Sequence, residues 1–161
     1  MKRIVLAMLV GIAPFLASGA AAQVGPPGRG DYTDLAKLRS EARQDKHALV
    51  ASTLALTDAE AARFWPIYET YQRSLLETNR RRNVALEALM FREKQITNLA
   101  AKRLVGELMA IDDAEAKARR TLRNRLMRAL PPVKAARYLQ LEDKLQAIRD
   151  YDIASAVPLV H

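Results

Sequence analysis

Leu56-Thr57-Asp58-Ala59-Glu60-Ala61-Ala62-Arg63-Phe64-Trp65-Pro66-Ile67-Tyr68 opens a long helix, and its reading decides the fold. Thr57 and Glu60 have the S/T-x-x-E spacing of a capping box. In that device the hydroxyl takes the backbone N–H of the third helical residue and the carboxylate reaches back to the N-cap N–H. Asp58 and Glu60 also put negative charge at the positive end of the helix dipole. Phe64, Tyr68 and Tyr71 then recur at helical spacing and share one face, with Trp65 to the side. The pattern continues to about Phe91. Pro66 lies inside it without a backbone donor, which predicts a kink near Ala62.

Three more helices follow from similar punctuation. One spans about Asp34 to Val50, with Thr33 as its N-cap and Leu35, Leu38, Ala42 and Leu49 in helical register. Another starts near Thr97 and ends at Leu130, before Pro131-Pro132. The last runs from Val133 to about Asp150, with Tyr138, Leu141, Leu145 and Ile148 on one face. An extended tail over residues 151–161 is expected to follow. Alanine, leucine, arginine and glutamate dominate from Asp31 onward, only Gly106 remains among the glycines, and no alternating β-branched run occurs. The fold class is therefore all-α. The second and third helices are each about 34 residues and so roughly 50 Å long, whereas a compact globule of this size is under about 40 Å across. A long, bent antiparallel hairpin carrying four helices is predicted, elongated and half uncovered, with dimerisation as the means of covering it.

The N-terminus reads differently. Lys2 and Arg3 precede an uncharged apolar run, Ile4 to Leu16, and Ala20-x-Ala22 before Gln23 matches a signal-peptidase site. The run is shorter than the ~20 residues of a membrane span and contains Pro14. Residues 1–22 are thus expected to be a cleaved signal peptide, with cleavage between Ala22 and Gln23, and residues 23–32 a Gly/Pro-rich tether. The folded domain then covers residues 33–150. Removing 22 of the 161 residues leaves 139 and lowers the net charge from +8 to +6. There is no cysteine, so neither disulfides nor thiolate ligands are open to this chain. The expected location is a bacterial periplasm.

Two features bear on function. The cluster Phe64-Trp65-Pro66-Ile67-Tyr68-x-x-Tyr71 holds four of the nine aromatics. It reads first as packing against the first and last helices, and second as an apolar platform for clients through Trp65, Tyr68 and Tyr71. Arginines are the other feature. Arg119, Arg120, Arg123, Arg125 and Arg128 sit near a helix C-terminus, where cations complement the dipole. Arg80-Arg81-Arg82 lies mid-helix, where the dipole does not account for it, and it falls where Thr78 and Arg82 interrupt the apolar seam. The triplet reads as an ion-paired face or as a client- or partner-binding surface. With only His47 and His161 and no HExxH, P-loop or nucleophile motif, no catalytic residue, metal site or cofactor is expected. Asp112-Asp113 reads as an exposed acidic pair, and Met90, Met109 and Met127 stand at core-like spacing.

Taken together, Leu56-Thr57-x-x-Glu60, Phe64-Trp65-Pro66-Ile67-Tyr68, and Leu130-Pro131 leading into Lys134-Ala135-Ala136-Arg137-Tyr138-Leu139-Gln140-Leu141-Glu142-x-Lys144-Leu145 resemble the Spy/CpxP-like (LTxxQ-related) periplasmic helical proteins, in a proteobacterial branch with an FWPxY signature. The likeness covers about Asp31 to Val160. It implies a bent four-helix protomer, a cradle-shaped antiparallel homodimer, and a non-enzymatic role as an ATP-independent chaperone or envelope-stress modulator that binds unfolded or partner proteins. Glu60 stands where the family name has glutamine, and Ile96-Thr97-Asn98-Leu99-Ala100 lacks the capping acid or amide. A metal-responsive sensor is the alternative, but the histidine-rich segments of such relatives are absent. The pI near 10.0 suggests nucleic acid as a third partner class. Export disfavours it, and stable membrane insertion after cleavage is not expected.

Overall fold

The computed structural model describes residues 32–90 and 96–159. The expected signal peptide, the expected cleavage site at Ala22 and Gln23, and all of the expected tether except Tyr32 lie outside the described residues. Over the described residues the protein is all-α, with four helices in the order α1 (Leu35–Leu54), α2 (Asp58–Met90), α3 (Asn98–Ala129) and α4 (Pro132–Ala156). The backbones of α2 and α3 run together as the long antiparallel hairpin, α1 lies against α4, and α4 touches α3.

The capping box starts α2 as expected. The Thr57 N–H donates to Glu60 Oε2 at 2.8 Å and the Glu60 N–H donates to Thr57 Oγ1 at 3.3 Å. Thr97 caps α3 through its hydroxyl, which accepts from the Ala100 N–H at 3.3 Å. The chain leaves α3 in extended geometry at Leu130, ahead of Pro131 and Pro132.

Several boundaries and bends differ from the sequence expectation. Asp34, not Thr33, is the N-cap of α1, its carboxylate accepting from the N–H groups of Ala36 and Lys37 at 3.0 Å. Pro66 does not interrupt α2, which is helical from Asp58 to Met90. Ala62 and Pro66 both face solvent, so water can take the carbonyl that the missing donor leaves free. A break within a helix occurs in α1. Asp45 there leaves helical geometry (φ −158°, ψ 96°) and caps the following half by accepting from the Ala48 N–H at 2.9 Å. Residues 151–156 are not an extended tail but the end of α4. No breaker precedes Pro158, and Arg39 holds Asp152 at 2.6 Å. The folded unit therefore reaches Ala156 rather than stopping at residue 150.

The core sits where α2 crosses α1 and α4. Phe64 and Tyr138 are fully buried, in an edge-to-face contact with centroids 5.0 Å apart. Tyr68 joins both rings, and Leu38, Val50, Leu54 and Leu126 close the cluster. The first part of α3 is bare. Among residues 98–110 none is buried, and Leu99, Val105 and Met109 are exposed. Met109 and Met127 are 63% and 52% exposed, so methionine spacing did not mark core positions.

Candidate functional site

The aromatic cluster is structural at its centre. Tyr68 and Tyr71 are buried, and burial, reinforced by the Glu142 carboxylate, pushes both phenols up to about 12. Tyr138 is raised further still, by burial first and then by Glu142. Trp65 is half-buried and stacks on His47 of α1, with centroids 3.8 Å apart and planes 16° apart. These rings bind α2 to α1 and α4, as the packing reading expects, and Tyr71 also borders a groove on the α3 side.

The arginine triplet is ion-paired throughout. Arg80 donates twice to Glu77, one turn back on α2. Arg81 crosses to Glu107 of α3 at 2.8 Å. Arg82 has a side chain only 15% exposed and lies 3.0 Å from Asp112 and 3.2 Å from Glu115. Glu115 also faces Arg149 of α4 at 3.3 Å, and Arg149 donates to Asn79 at 3.0 Å. The polar interruption of the seam is therefore an interior tie between α2, α3 and α4. Thr78 is buried there because its hydroxyl donates back to the Ser74 and Leu75 carbonyls. Spacing along one helix could not reveal this, because the neutralising acids come from other helices.

A second polar tie lies deeper. The Glu142 carboxylate is buried and accepts from Lys46 of α1, Gln72 of α2 and the Tyr138 hydroxyl. Its lone-pair sites are largely filled, as a buried acceptor requires.

Unneutralised cations lie elsewhere. A groove of about 610 Å³ runs along α2 and α3 and is lined by these two helices alone. Ile67, Tyr71, Ala118 and Leu122 contribute apolar surface, and Arg73, Arg81, Lys117 and Arg125 the charge. Glu77 is the only carboxylate among its lining residues, and it already holds Arg80. Among the described residues no carboxylate pairs with Arg73, Lys117 or Arg125, and Lys117 and Arg125 are exposed. Of the α3 arginines named from the sequence, Arg119 alone has an acidic partner, Asp143. A neighbouring groove of about 580 Å³ among α1, α2 and α4 differs in this respect. Its cations are matched, with Arg39 and Arg43 on Asp152, Lys46 on Glu142, and Arg149 on Glu115 and Asp150.

Sequence reasoning thus singled out Arg80, Arg81 and Arg82, of which only Arg81 reaches the groove, and passed over Arg73 and Lys117. No signal in the sequence marks them: Glu69 and Glu77 stand four places either side of Arg73 and Asp113 four before Lys117, and a list of charges does not say which pairs form. Among the described residues no three histidine, aspartate or glutamate side chains converge to hold a metal ion. No described helix is long and apolar enough to cross a membrane. The chain matches no family model, no curated protein and no solved structure.

Proposed function

We propose that this protein is an exported, non-enzymatic binding protein of the bacterial periplasm, an ATP-independent chaperone or envelope-stress modulator that holds unfolded or partner proteins and works as a homodimer. The observation that carries this reading is the groove between α2 and α3, where apolar side chains lie beside three cations without acidic partners. Cations of this kind raise the rate of encounter with acidic clients, and apolar surface retains exposed hydrophobic segments once they arrive. The bare first part of α3 adds further apolar surface at Val105 and Met109, which a second copy would cover. The N-terminal charge, apolar run and Ala20-x-Ala22 support export, and the sequence resemblance to the Spy/CpxP-like proteins supports the class of activity.

The test is aggregation of an acidic client protein without nucleotide. Wild-type protein is expected to suppress it at low salt, and a folded Arg73→Ser/Lys117→Ser/Arg125→Ser variant to suppress it less. The difference should fade toward 1 M salt, where the Debye length shrinks to about 3 Å. No suppression by either protein would overturn the chaperone reading. Recovery of full-length protein from the cytoplasm on fractionation would overturn export.

A further inference from the structure

The groove between α2 and α3 carries enough chemistry to say what kind of segment it takes. We infer that it receives an acidic amphipathic helix of about four turns, with carboxylates two turns apart, from a partner protein. This rests on the binding reading above and narrows it.

The lining hydroxyls come first. Thr70, Ser74, Thr78 and Thr121 all face this groove. Each donates its proton to a carbonyl of its own helix: Thr70 to Pro66 at 2.8 Å, Ser74 to Thr70 at 3.1 Å, Thr78 to Ser74 at 3.2 Å, and Thr121 to Lys117 at 3.0 Å. The backbone groups of both walls are spent inside α2 and α3. An extended peptide laid here would bury an N–H and a C=O at every residue with few partners, at a cost for each. A helix satisfies its own backbone and escapes that cost. Ala114 and Ala118 stand one turn apart on α3, and such small side chains let a third helix approach closely.

Charge then sets the sign and the spacing. Arg73, Lys117 and Arg125 pair with no described carboxylate, Arg73 donating only to the Thr70 hydroxyl at 3.3 Å, so an anionic ligand suits the groove. Lys117 and Arg125 are eight residues apart on one helix, or about 12 Å. Carboxylates at positions i and i+7 or i+8 of a docked helix match that separation. A single-headed amphiphile carries its charge at one end and engages only one of them. The α2 wall runs from Ile67 to Arg81, about 21 Å, which is the length of a four-turn helix. A second copy does not suit the site, because a two-fold contact would set the same three cations against themselves.

Fluorescence anisotropy with two labelled 15-residue peptides of identical composition tests this. One places glutamates at i and i+8 beside an apolar stripe, and the other scrambles the order. At low salt the patterned peptide should bind about tenfold more tightly, as expected for two or three exposed ion pairs, and gain helicity on binding. A Lys117→Glu/Arg125→Glu variant, confirmed folded by circular dichroism, should lose that preference and favour the lysine version of the peptide. Equal binding of both isomers, with client aggregation still suppressed, overturns the helix inference and leaves the broader reading standing. Binding to anionic phosphatidylglycerol vesicles without peptide binding overturns it in favour of a lipid surface. Absence of both peptide binding and suppression overturns the two readings together.

Discussion

Ala55 ends α1 in the left-handed region, at φ 43° and ψ 58°. An L-residue with a β-carbon adopts that geometry at a cost of about 1–2 kcal/mol, and glycine is the usual occupant. The position is fixed from outside. The Ala55 N–H donates to the Ala51 carbonyl, and the Ala55 carbonyl accepts from Lys134 Nζ at 2.8 Å. Its methyl group is exposed, so removing it forfeits little packing. Ala55→Gly is therefore expected to stabilise the fold by about 0.5–1 kcal/mol, the strain relieved less the extra chain entropy of glycine. Chemical denaturation with an unchanged slope and a higher midpoint would show it. A lower midpoint would mean that this residue is not held in the left-handed region.

At the scale of elements, the junction of α1, α2 and α4 depends on one carboxylate. Glu60 closes the capping box of α2 and accepts from Lys134 of α4 at 2.7 Å. The Lys134 ammonium, followed by the Thr57 N–H, holds the Glu60 carboxyl below its ordinary value near 4.5. A carboxylate with a lowered folded value stabilises the protein fully above its unfolded value, and that contribution is lost as pH falls through the folded one. Wild-type stability should therefore decline below about pH 4.5 with a steeper slope than that of Glu60→Gln, which keeps an acceptor but does not titrate. Thermal unfolding across pH 2–6 reads the difference, and parallel curves would show that Glu60 is not coupled to Lys134. Thr57→Ala serves as the control. It removes the hydroxyl arm of the box, should cost about 1 kcal/mol, and should leave most of the pH slope, because the Lys134 ammonium and the backbone N–H of residue 57 still hold the carboxylate.

For the whole molecule, α2 and α3 at 33 and 32 residues are each about 50 Å long, well beyond the core formed with α1 and α4. The polar ties of Glu115 and Glu142 stiffen the part of the hairpin near α4, while residues 98–110 contribute nothing buried. Small-angle scattering of residues 23–161 should report a radius of gyration well above the ~14 Å of a compact 139-residue monomer, with a mass of two chains. A monomer mass, or a compact profile, would refute the dimer.

The helical class, the start of α2 and the stop after α3 are local matters and were legible in the residues. A capping box satisfies donors within one turn, and a proline pair acts on its immediate neighbour. The ends of α1 and α4 were less legible, since Thr33 competes with Asp34 as a cap and nothing local stops a helix between Asp150 and Pro158. Charge was the least legible. Arg80-Arg81-Arg82 reads either as an ion-paired face or as a binding surface, because only Glu77, the partner of Arg80, is close in sequence. Glu107, Asp112 and Glu115 are 26 to 33 residues distant, and nothing local singles out Arg73 or Lys117. Whether a cation is neutralised depends on a distance of a few ångströms between helices. Composition and periodicity therefore determined that this chain is a helical hairpin with a basic balance. Only the packing of α2 against α3 and α4 decided which arginines tie the fold together and which cations remain for a partner.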